Sequence, residues 1–266
     1  SGRRDSFDYK QESCNDTKQK IPWAWNYEVE FKNYDNLLLS WNKEDYSEEG
    51  ISLLKDGAVE EIFRDSAHIS QIIRSENHIS YVKENANRPP ELYYMDLRTK
   101  TEKSIYKSNI WDTIVPKLKI EYIQWKNKLG EKRGAIIRYP ADYSDEKKYP
   151  AIVNIYEKRF MTRNYYYSPF VLNTAGFNPH SYVQDGYFVI EPDIYYSLGN
   201  PGVSANESVE DALRVVLNRY SIDDKRLGIF GYSFGAFQTN FIITQTDAFR
   251  TAVSGAGVSD FTSWYL

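Results

Sequence analysis

The pattern of apolar residues changes between residues 110 and 118, and this change constrains the fold more than any other feature. Before it, short apolar runs alternate with turn residues, and no segment has a clear helical period. After it, strand-like runs alternate with helix-like segments, which indicates a parallel sheet with helices on its faces. A chain of 266 residues is long enough for two modest domains. We therefore predict an all-β region over residues 1–115 and an α/β domain over residues 116–266.

Short strands are predicted throughout the first region. They recur every 8–12 residues or so with turn signals between them, a spacing typical of a sandwich, barrel or propeller. The predicted strands are residues 37–41, 51–54, 61–63, 69–73, 78–82, 91–97 and 103–106, with turns at 55–57 and 87–90. Roughly 110 residues hold about two four-stranded blades, so this region could not close a propeller alone.

The second region contains two nearly continuous apolar runs, at residues 150–156 and 186–190. Such runs are typical of strands buried on both faces. Other strands are predicted at 120–125, 134–139, 226–230 and 251–255, and helices at 208–220 and 236–246. Ser208 is the predicted N-cap of the first of these helices, because apolar residues follow it at helical spacing.

The motif Gly231-Tyr232-Ser233-Phe234-Gly235 fits the G-x-S-x-G nucleophile elbow. In such an elbow a tight strand-to-helix turn lifts the serine hydroxyl out of the sheet, and small residues on either side let strand and helix approach. An apolar strand leads into the motif and a helix leads out, which is the context that the motif requires. The alternative is a structural glycine turn that carries an incidental serine.

A serine hydroxyl needs a histidine base and an acid that orients it. In the fold that uses this elbow, the chain order is Ser, then Asp or Glu, then His. All three histidines, His68, His78 and His180, precede Ser233. We interpret the first two as strand or turn residues, His180 as lying near a helix start, and Asp260 as a turn or cap residue. The acid and the base are therefore expected beyond residue 266, and this chain alone is predicted to be inactive.

Composition excludes several classes of function. The net charge is −4 with both signs interleaved, so no basic stripe indicates nucleic acid. No apolar run approaches the ~18 residues of a membrane span. The single cysteine, Cys14, permits no internal disulfide and leaves the compartment open. No metal or organic cofactor is implied. The chain begins Ser-Gly-Arg-Arg without Met, which is typical of a trimmed or partial chain.

Residues 118–266 resemble the first half of the hydrolase domain of prolyl oligopeptidase (dipeptidyl peptidase IV-like) serine peptidases. The elbow carries this resemblance most specifically, and the other landmarks occur in the family's order at residues 125–130, 148–150, 221–227 and 257–261. Residues 88–97 resemble the last blades of the family's β-propeller. The resemblance implies an α/β-hydrolase fold with a mostly parallel, incomplete sheet, preceded by all-β blades of a propeller.

The resemblance also implies roles for three residues. Ser233 matches the nucleophile, and the backbone N–H of Phe234 matches one oxyanion donor. Tyr156 matches the tyrosine whose hydroxyl completes the oxyanion hole in dipeptidyl peptidase IV-like members. A positioned phenol can stabilise a developing oxyanion, and losing one such donor typically costs about 10²–10³ in rate. The alternative for Tyr156 is a packing residue at a strand end, because the chain has 23 tyrosines.

Two segments depart from the family pattern. Glu157-Lys158-Arg159-Phe160 stands where the family usually has a glycine-rich segment, and Glu191-Pro192-Asp193 begins the segment that usually reads Asp-Gly-Arg-Gly. Both segments border the expected site, so a preference for proline stays open. The paired glutamates that bind a substrate N-terminus in dipeptidyl peptidases are not identified in this chain.

The function predicted from these features is hydrolysis of short peptides through an acyl-enzyme on Ser233. An esterase or acyl-peptide hydrolase on the same fold is one alternative, because fold does not decide substrate. A non-catalytic homologue or fragment is another. By resemblance, the parent protein is expected to be soluble, secreted or at the cell surface, and a homodimer is possible. No nucleic-acid partner is expected.

Overall fold

The computed structural model describes residues 7–11, 37–43, 45–56, 58–108, 117–169, 176–260 and 262, with the backbone alone for 7–11. The chain divides into two compact units. The first joins Ser1–Ile110 with Asn164–Tyr166, and the second joins Trp111–Arg163 with Tyr167–Leu266. Within the described ranges, no helix is both long enough and apolar enough to cross a membrane.

The first unit contains two four-stranded antiparallel sheets in which neighbours in sequence are neighbours in space. The first sheet consists of β1 (Phe7–Gln11), β2 (Leu37–Lys43), β3 (Glu49–Lys55) and β4 (Ala58–Asp65). The second consists of β5 (His68–Ser75), β6 (His78–Asn85), β7 (Arg88–Asp96) and β8 (Thr101–Lys107). Both are simple up-and-down meanders, which the short predicted strands and turns favour.

One apolar core joins residues from both of these sheets. Alternate residues of β6, such as Ile79 and Tyr81, are buried in it, as expected of a strand with one buried face. Lys83 continues the same alternation and is also buried. Its ammonium contacts the carboxylates of Asp65 at 3.2 Å and Glu102 at 2.7 Å. A buried ammonium would be costly without such partners.

The predicted turn at residues 87–90 is wrong in part, because β7 already begins at Arg88. Pro89 and Pro90 therefore lie inside the strand. They fall where the pairing of β6 with β7 shifts register, between Lys83 and Asn85 on the β6 side. A proline has no N–H to donate to a sheet, and a bulge is where a strand tolerates that loss.

The second unit is built on a six-stranded sheet in the order β14-β13-β11-β12-β10-β9. Its strands are β9 (Ile120–Lys126), β10 (Lys132–Arg138), β11 (Tyr149–Ile155), β12 (Phe188–Pro192), β13 (Ile222–Tyr232) and β14 (Thr251–Gly255). The pairs β11–β12, β11–β13 and β13–β14 are parallel, whereas β9 and β10 are antiparallel to their neighbours. β12 is buried along its whole length: it begins with the apolar residues 188–190 and continues with the buried Glu191.

Helices pack on both faces of this sheet. The helices are α1 (Pro179–Gln184), α2 (Pro201–Arg219) and α3 (Phe234–Ile242). Alternate residues of β12 enter different cores: Ile190 lies in the core that contains residues of α2 and α3, and Val189 lies in the core that contains Val183 of α1. Because successive strand side chains point to opposite faces, the alternation places α1 opposite α2 and α3.

The prediction that Ser208 caps a helix is wrong. Helix α2 begins at Pro201, with Asn200 in the N-cap position, and Ser208 lies buried inside it. The Ser208 hydroxyl donates to the carbonyl of Ser204 at 2.8 Å and accepts the N–H of Tyr195 at 3.2 Å. Proline at the first helical position is the start signal that the sequence contained, since its missing N–H costs nothing there.

Candidate active site

Ser233 stands between the last residue of β13 and the first residue of α3. Its backbone has φ 55° and ψ −119°, in a region that residues other than glycine rarely adopt. The N–H of Ser233 donates to the carbonyl of Gly255 in the neighbouring strand at 2.8 Å, and its own carbonyl accepts the N–H of Ala236 at 3.0 Å. These bonds hold the strained conformation, which is the geometry that a nucleophile elbow needs.

The two glycines of the motif are required by close approach of backbone to backbone. A Cβ atom at Gly231 would lie 2.0 Å from the carbonyl oxygen of Gly235. A Cβ atom at Gly235 would lie 2.3 Å from the carbonyl oxygen of Ile155, at the end of β11. Any side chain at either position would therefore push α3 away from the sheet. Between them, Tyr232 is partly exposed beside the serine.

Tyr156 directly follows β11, and its side chain is 38% exposed. The carbonyl of Tyr156 accepts two hydrogen bonds, from the Gln238 amide at 2.9 Å and from the Tyr196 hydroxyl at 2.8 Å. Gln238 is fully buried in α3, the helix that begins just after Ser233. The position of Tyr156 is thus tied to the same helix that positions the serine.

Phe234 is the first residue of α3, so its N–H belongs to the helix turn that has no intrahelical acceptors. Its ring stacks on Phe237, with centroids 5.6 Å apart, and tilts against Tyr196 at 5.7 Å. These contacts fix the helix start beside the serine. The N–H dipoles of this turn favour negative charge.

A cavity of about 330 Å³ opens beside Ser233. Its walls come from the ends of β11 and β13 and from the segments that follow β11. The lining residues are Asn154, Ile155, Tyr156, Arg159, Tyr167, Phe177, Phe230, Tyr232 and Ser233. Of the residues singled out from the sequence, the structure therefore brings Ser233, Tyr232 and Tyr156 to one cavity. Phe234 borders the serine without lining the cavity.

Comparison with known proteins places this geometry in a family. Residues 199–266, which include the whole elbow, match the model of the prolyl oligopeptidase family. The uncharacterized peptidase YuxL of Bacillus subtilis (strain 168) is 30% identical over 203 residues, which cover 71% of this chain and 30% of that protein. The match to the family model assigns the elbow region of the chain to the prolyl oligopeptidase family.

Solved structures with a similar fold include two peptidases. Dipeptidyl peptidase 4 of Porphyromonas gingivalis aligns with a TM-score of 0.69 at 15% identity, over 85% of this chain and 34% of that one. The acylaminoacyl peptidase of Pyrococcus horikoshii aligns with a TM-score of 0.67 at 21% identity, over 86% and 37%. At these identities the likeness is one of fold. The chain spans about a third of the length of each of these relatives.

The two segments that depart from the family pattern are in direct contact with each other. A terminal nitrogen of Arg159 lies 2.5 Å from one oxygen of Glu191. The Asp193 carboxylate accepts the backbone N–H groups of Arg159 at 2.5 Å and Phe160 at 2.9 Å. The two segments therefore meet beside the cavity, which Arg159 lines.

Arg138 completes this buried cluster. It is fully buried, and its Nε lies 2.9 Å from the second oxygen of Glu191, which is also fully buried. Asn154 donates to Glu191 at 3.0 Å. Burial raises the pKa of Glu191, but the charges and hydrogen bonds of Arg138 and Arg159 outweigh burial and lower the pKa to about 2. Glu191 is therefore ionised, and it holds two guanidinium groups beside the cavity.

Asp193 behaves differently from its neighbour Glu191. Burial raises the pKa of Asp193 above its ordinary value, against the opposing hydrogen bond from the Tyr122 hydroxyl at 2.7 Å and those from the backbone. All of these bonds come from neutral groups. Asp193 therefore serves to fix the turn after β11, and the guanidinium groups are paired through Glu191.

The histidines lie where the sequence suggested. His68 contacts Glu49 at 3.1 Å and His78 faces Asp96 at 3.6 Å, both within the sheets of the first unit. His180 is buried in the first turn of α1, and burial followed by the charge of Arg138 lowers its pKa to about 4. Among the described residues, none that lines the cavity is a histidine. Asp260 accepts the N–H of Thr262 at 2.8 Å, as a turn residue does.

Sequence reasoning missed Gln238, Tyr196 and Arg138. One local signal was available for Gln238, because a glutamine on the buried face of a short helix after an elbow needs polar partners. Arg138 offered a weaker signal, as a charge at the end of the apolar strand β10. Nothing local indicated that Tyr196 contacts Tyr156, since 40 residues separate them.

Proposed function

We propose that this protein is a serine peptidase that hydrolyses peptide bonds of short peptides through an acyl-enzyme on Ser233. The observation that carries the proposal is the strained strand-to-helix turn at Ser233, held by closely packed glycines, beside a cavity. The match of the elbow region to the prolyl oligopeptidase family supports the reaction class. The six-stranded sheet would be part of an α/β-hydrolase domain, and the two meander sheets would be blades of a β-propeller.

In the proposed reaction the Ser233 hydroxyl oxygen attacks the peptide carbonyl, and its proton passes to a histidine base. The oxyanion forms beside the N–H of Phe234 and the hydroxyl of Tyr156, which stabilise it. The protonated base then gives its proton to the leaving amine. A water molecule hydrolyses the acyl-enzyme by the same route and frees the serine.

The base and the acid are proposed to come from sequence beyond residue 266. This follows from the order of triad residues in the fold and from the positions of the three histidines, all of which precede Ser233. It also follows that activity is proposed for the protein that contains this chain together with those residues.

The test is labelling by a fluorophosphonate probe, followed by mass spectrometry. One adduct is expected on the purified protein that contains this chain together with the proposed acid and base. None is expected on its Ser233→Ala variant, and one on the control Ser259→Ala, which removes an exposed serine. Tyr156→Phe should keep the adduct and lower kcat about 10²–10³-fold on peptide amides. Absence of any adduct would overturn the proposal, and faster turnover of p-nitrophenyl esters than of every peptide tried would favour the esterase alternative.

A further inference from the structure

The cavity beside Ser233 has a cationic wall. Arg159 lines it directly, and its side chain is only 17% exposed. Arg138 lies behind, with its guanidinium carbon 5.2 Å from the ring centroid of Tyr167, another lining residue. Both guanidinium groups share the single carboxylate of Glu191. Two arginines therefore share one carboxylate as their hydrogen-bond acceptor, close to the proposed nucleophile.

The hydrogen-bonding capacity of this wall is not used up. Within the described structure, both terminal nitrogens of the fully buried Arg138 and the Nε of Arg159 have no hydrogen-bond partner. Buried donors of a charged group are costly when unpaired, and most are satisfied in folded proteins. The nearby carboxylate of Asp193 does not accept a hydrogen bond from these nitrogens. It accepts hydrogen bonds from the Tyr122 hydroxyl and from backbone N–H groups instead.

The chemistry of the unpaired donors indicates their ligand. A guanidinium presents a planar fork of N–H groups that matches a carboxylate and binds it more strongly than a neutral acceptor. The other lining residues are largely aromatic or aliphatic, so they would enclose the carbon skeleton of a side chain. Low solvent access would strengthen the attraction between the guanidinium and an anion.

We infer that this cavity is a carboxylate-binding subsite, in which Arg159 receives a carboxylate of the substrate while Glu191 and Arg138 position it. The inference rests on the proposed function and adds a specificity to it: peptides that carry a carboxylate near the scissile bond. That carboxylate is either the side chain of Asp or Glu, or the free C-terminus of a short peptide. In both cases Arg159 is the specificity-determining residue.

The test compares matched fluorogenic peptides in the purified protein. One pair carries Glu or the isosteric Gln on either side of the scissile bond, and a second pair ends in a free acid or an amide. We expect kcat/KM to be at least tenfold higher for the acidic member of one pair, and that pair identifies the source of the carboxylate. Equal rates within both pairs, with Ser233 still labelled, would overturn the subsite and leave the proposed function standing.

Variants assign the preference to the cavity wall. In Arg159→Gln the acidic-to-neutral ratio should fall to about one, and Arg159→Lys should keep part of it because it retains the charge. The control Arg214→Gln removes an exposed arginine, bonded to Asp211, and makes the same change in net charge. It should keep the full ratio. A ratio unchanged in Arg159→Gln would overturn the assignment.

A binding measurement keeps the inference testable if the variants do not fold or if turnover is absent. Isothermal titration of the wild-type protein with N-acetylglutamate amide should show saturable binding, and N-acetylglutamine amide should bind at least tenfold more weakly. If the carboxylate is instead a free C-terminus, acetylalanine should bind at least tenfold more tightly than acetylalanine amide in the same titration. Equal binding within both pairs would refute the subsite, whereas loss of the Ser233 adduct alone would refute only the proposed function.

Discussion

Replacing Glu191 with Gln tests whether the buried charge cluster stabilises the fold. Glu191, which is itself fully buried, accepts charge-assisted bonds from two guanidinium groups and a further bond from Asn154. Glutamine has the same shape, but it leaves two buried cations without a counter-charge and turns an amide donor toward other donors. Breaking a buried pair in this way typically costs about 3–5 kcal/mol, because an uncompensated charge remains.

The pKa of Glu191 gives a similar magnitude. Each pKa unit corresponds to ~1.4 kcal/mol, so the drop from 4.5 to about 2 corresponds to roughly 3 kcal/mol of folding free energy. The sign follows from a lowered folded-state pKa. The contribution is present above pH 4.5 and is lost as the pH falls toward 2. Glu191→Gln should lack this part of the acid dependence.

Urea unfolding at pH 7, followed by tryptophan fluorescence, measures the effect. We expect Glu191→Gln to lose about 3–5 kcal/mol of unfolding free energy. The control is Glu131→Gln, where an exposed carboxylate also bonds an arginine and an asparagine. It should lose less than about 1 kcal/mol, since exposed pairs contribute little. If Glu191→Gln also loses less than about 1 kcal/mol of unfolding free energy, the reasoning that burial makes this cluster strongly stabilising is refuted.

Two further predictions concern the elbow and the buried histidine. Gly235→Ala would place a Cβ 2.3 Å from the Ile155 carbonyl, so we expect a loss of about 1–3 kcal/mol of unfolding free energy and slower fluorophosphonate labelling. The control Gly199→Ala adds a Cβ that meets no atom within 4 Å, and its φ of 78° strains the backbone only locally, so it should label at the wild-type rate. His180 has a folded-state pKa lowered to about 4, so its neutral form should contribute stability that is lost as the pH falls from 6.5 toward 4, roughly 2 kcal/mol by pH 5. His180→Gln should flatten unfolding free energy against pH in that window, and an unchanged slope would show that other groups cause it.

The sequence predicted those features that depend on neighbouring residues. The elbow is local, because a strand, two glycines and a helix start lie within a dozen residues, and the structure places Ser233 in the strained turn that the motif requires. β12 was predicted from one continuous apolar run. The start of α2 was also local but was misread, since Asn200 and Pro201 carried the start signal and Ser208 was chosen for its spacing.

Only the tertiary structure decided the composition of the cavity wall. Arg138 and Glu191 are 53 residues apart in sequence, and Arg159 and Glu191 are 32 apart, yet all three meet where β10, β11 and β12 lie side by side. In the sequence, each looked like an isolated charge or a lost glycine. Strand order and register bring distant residues together, and no periodicity in the chain encodes which partners they meet. Thus the sequence by itself determined where the strained turn at Ser233 lies, and the pairing of strands determined which charges lie near it.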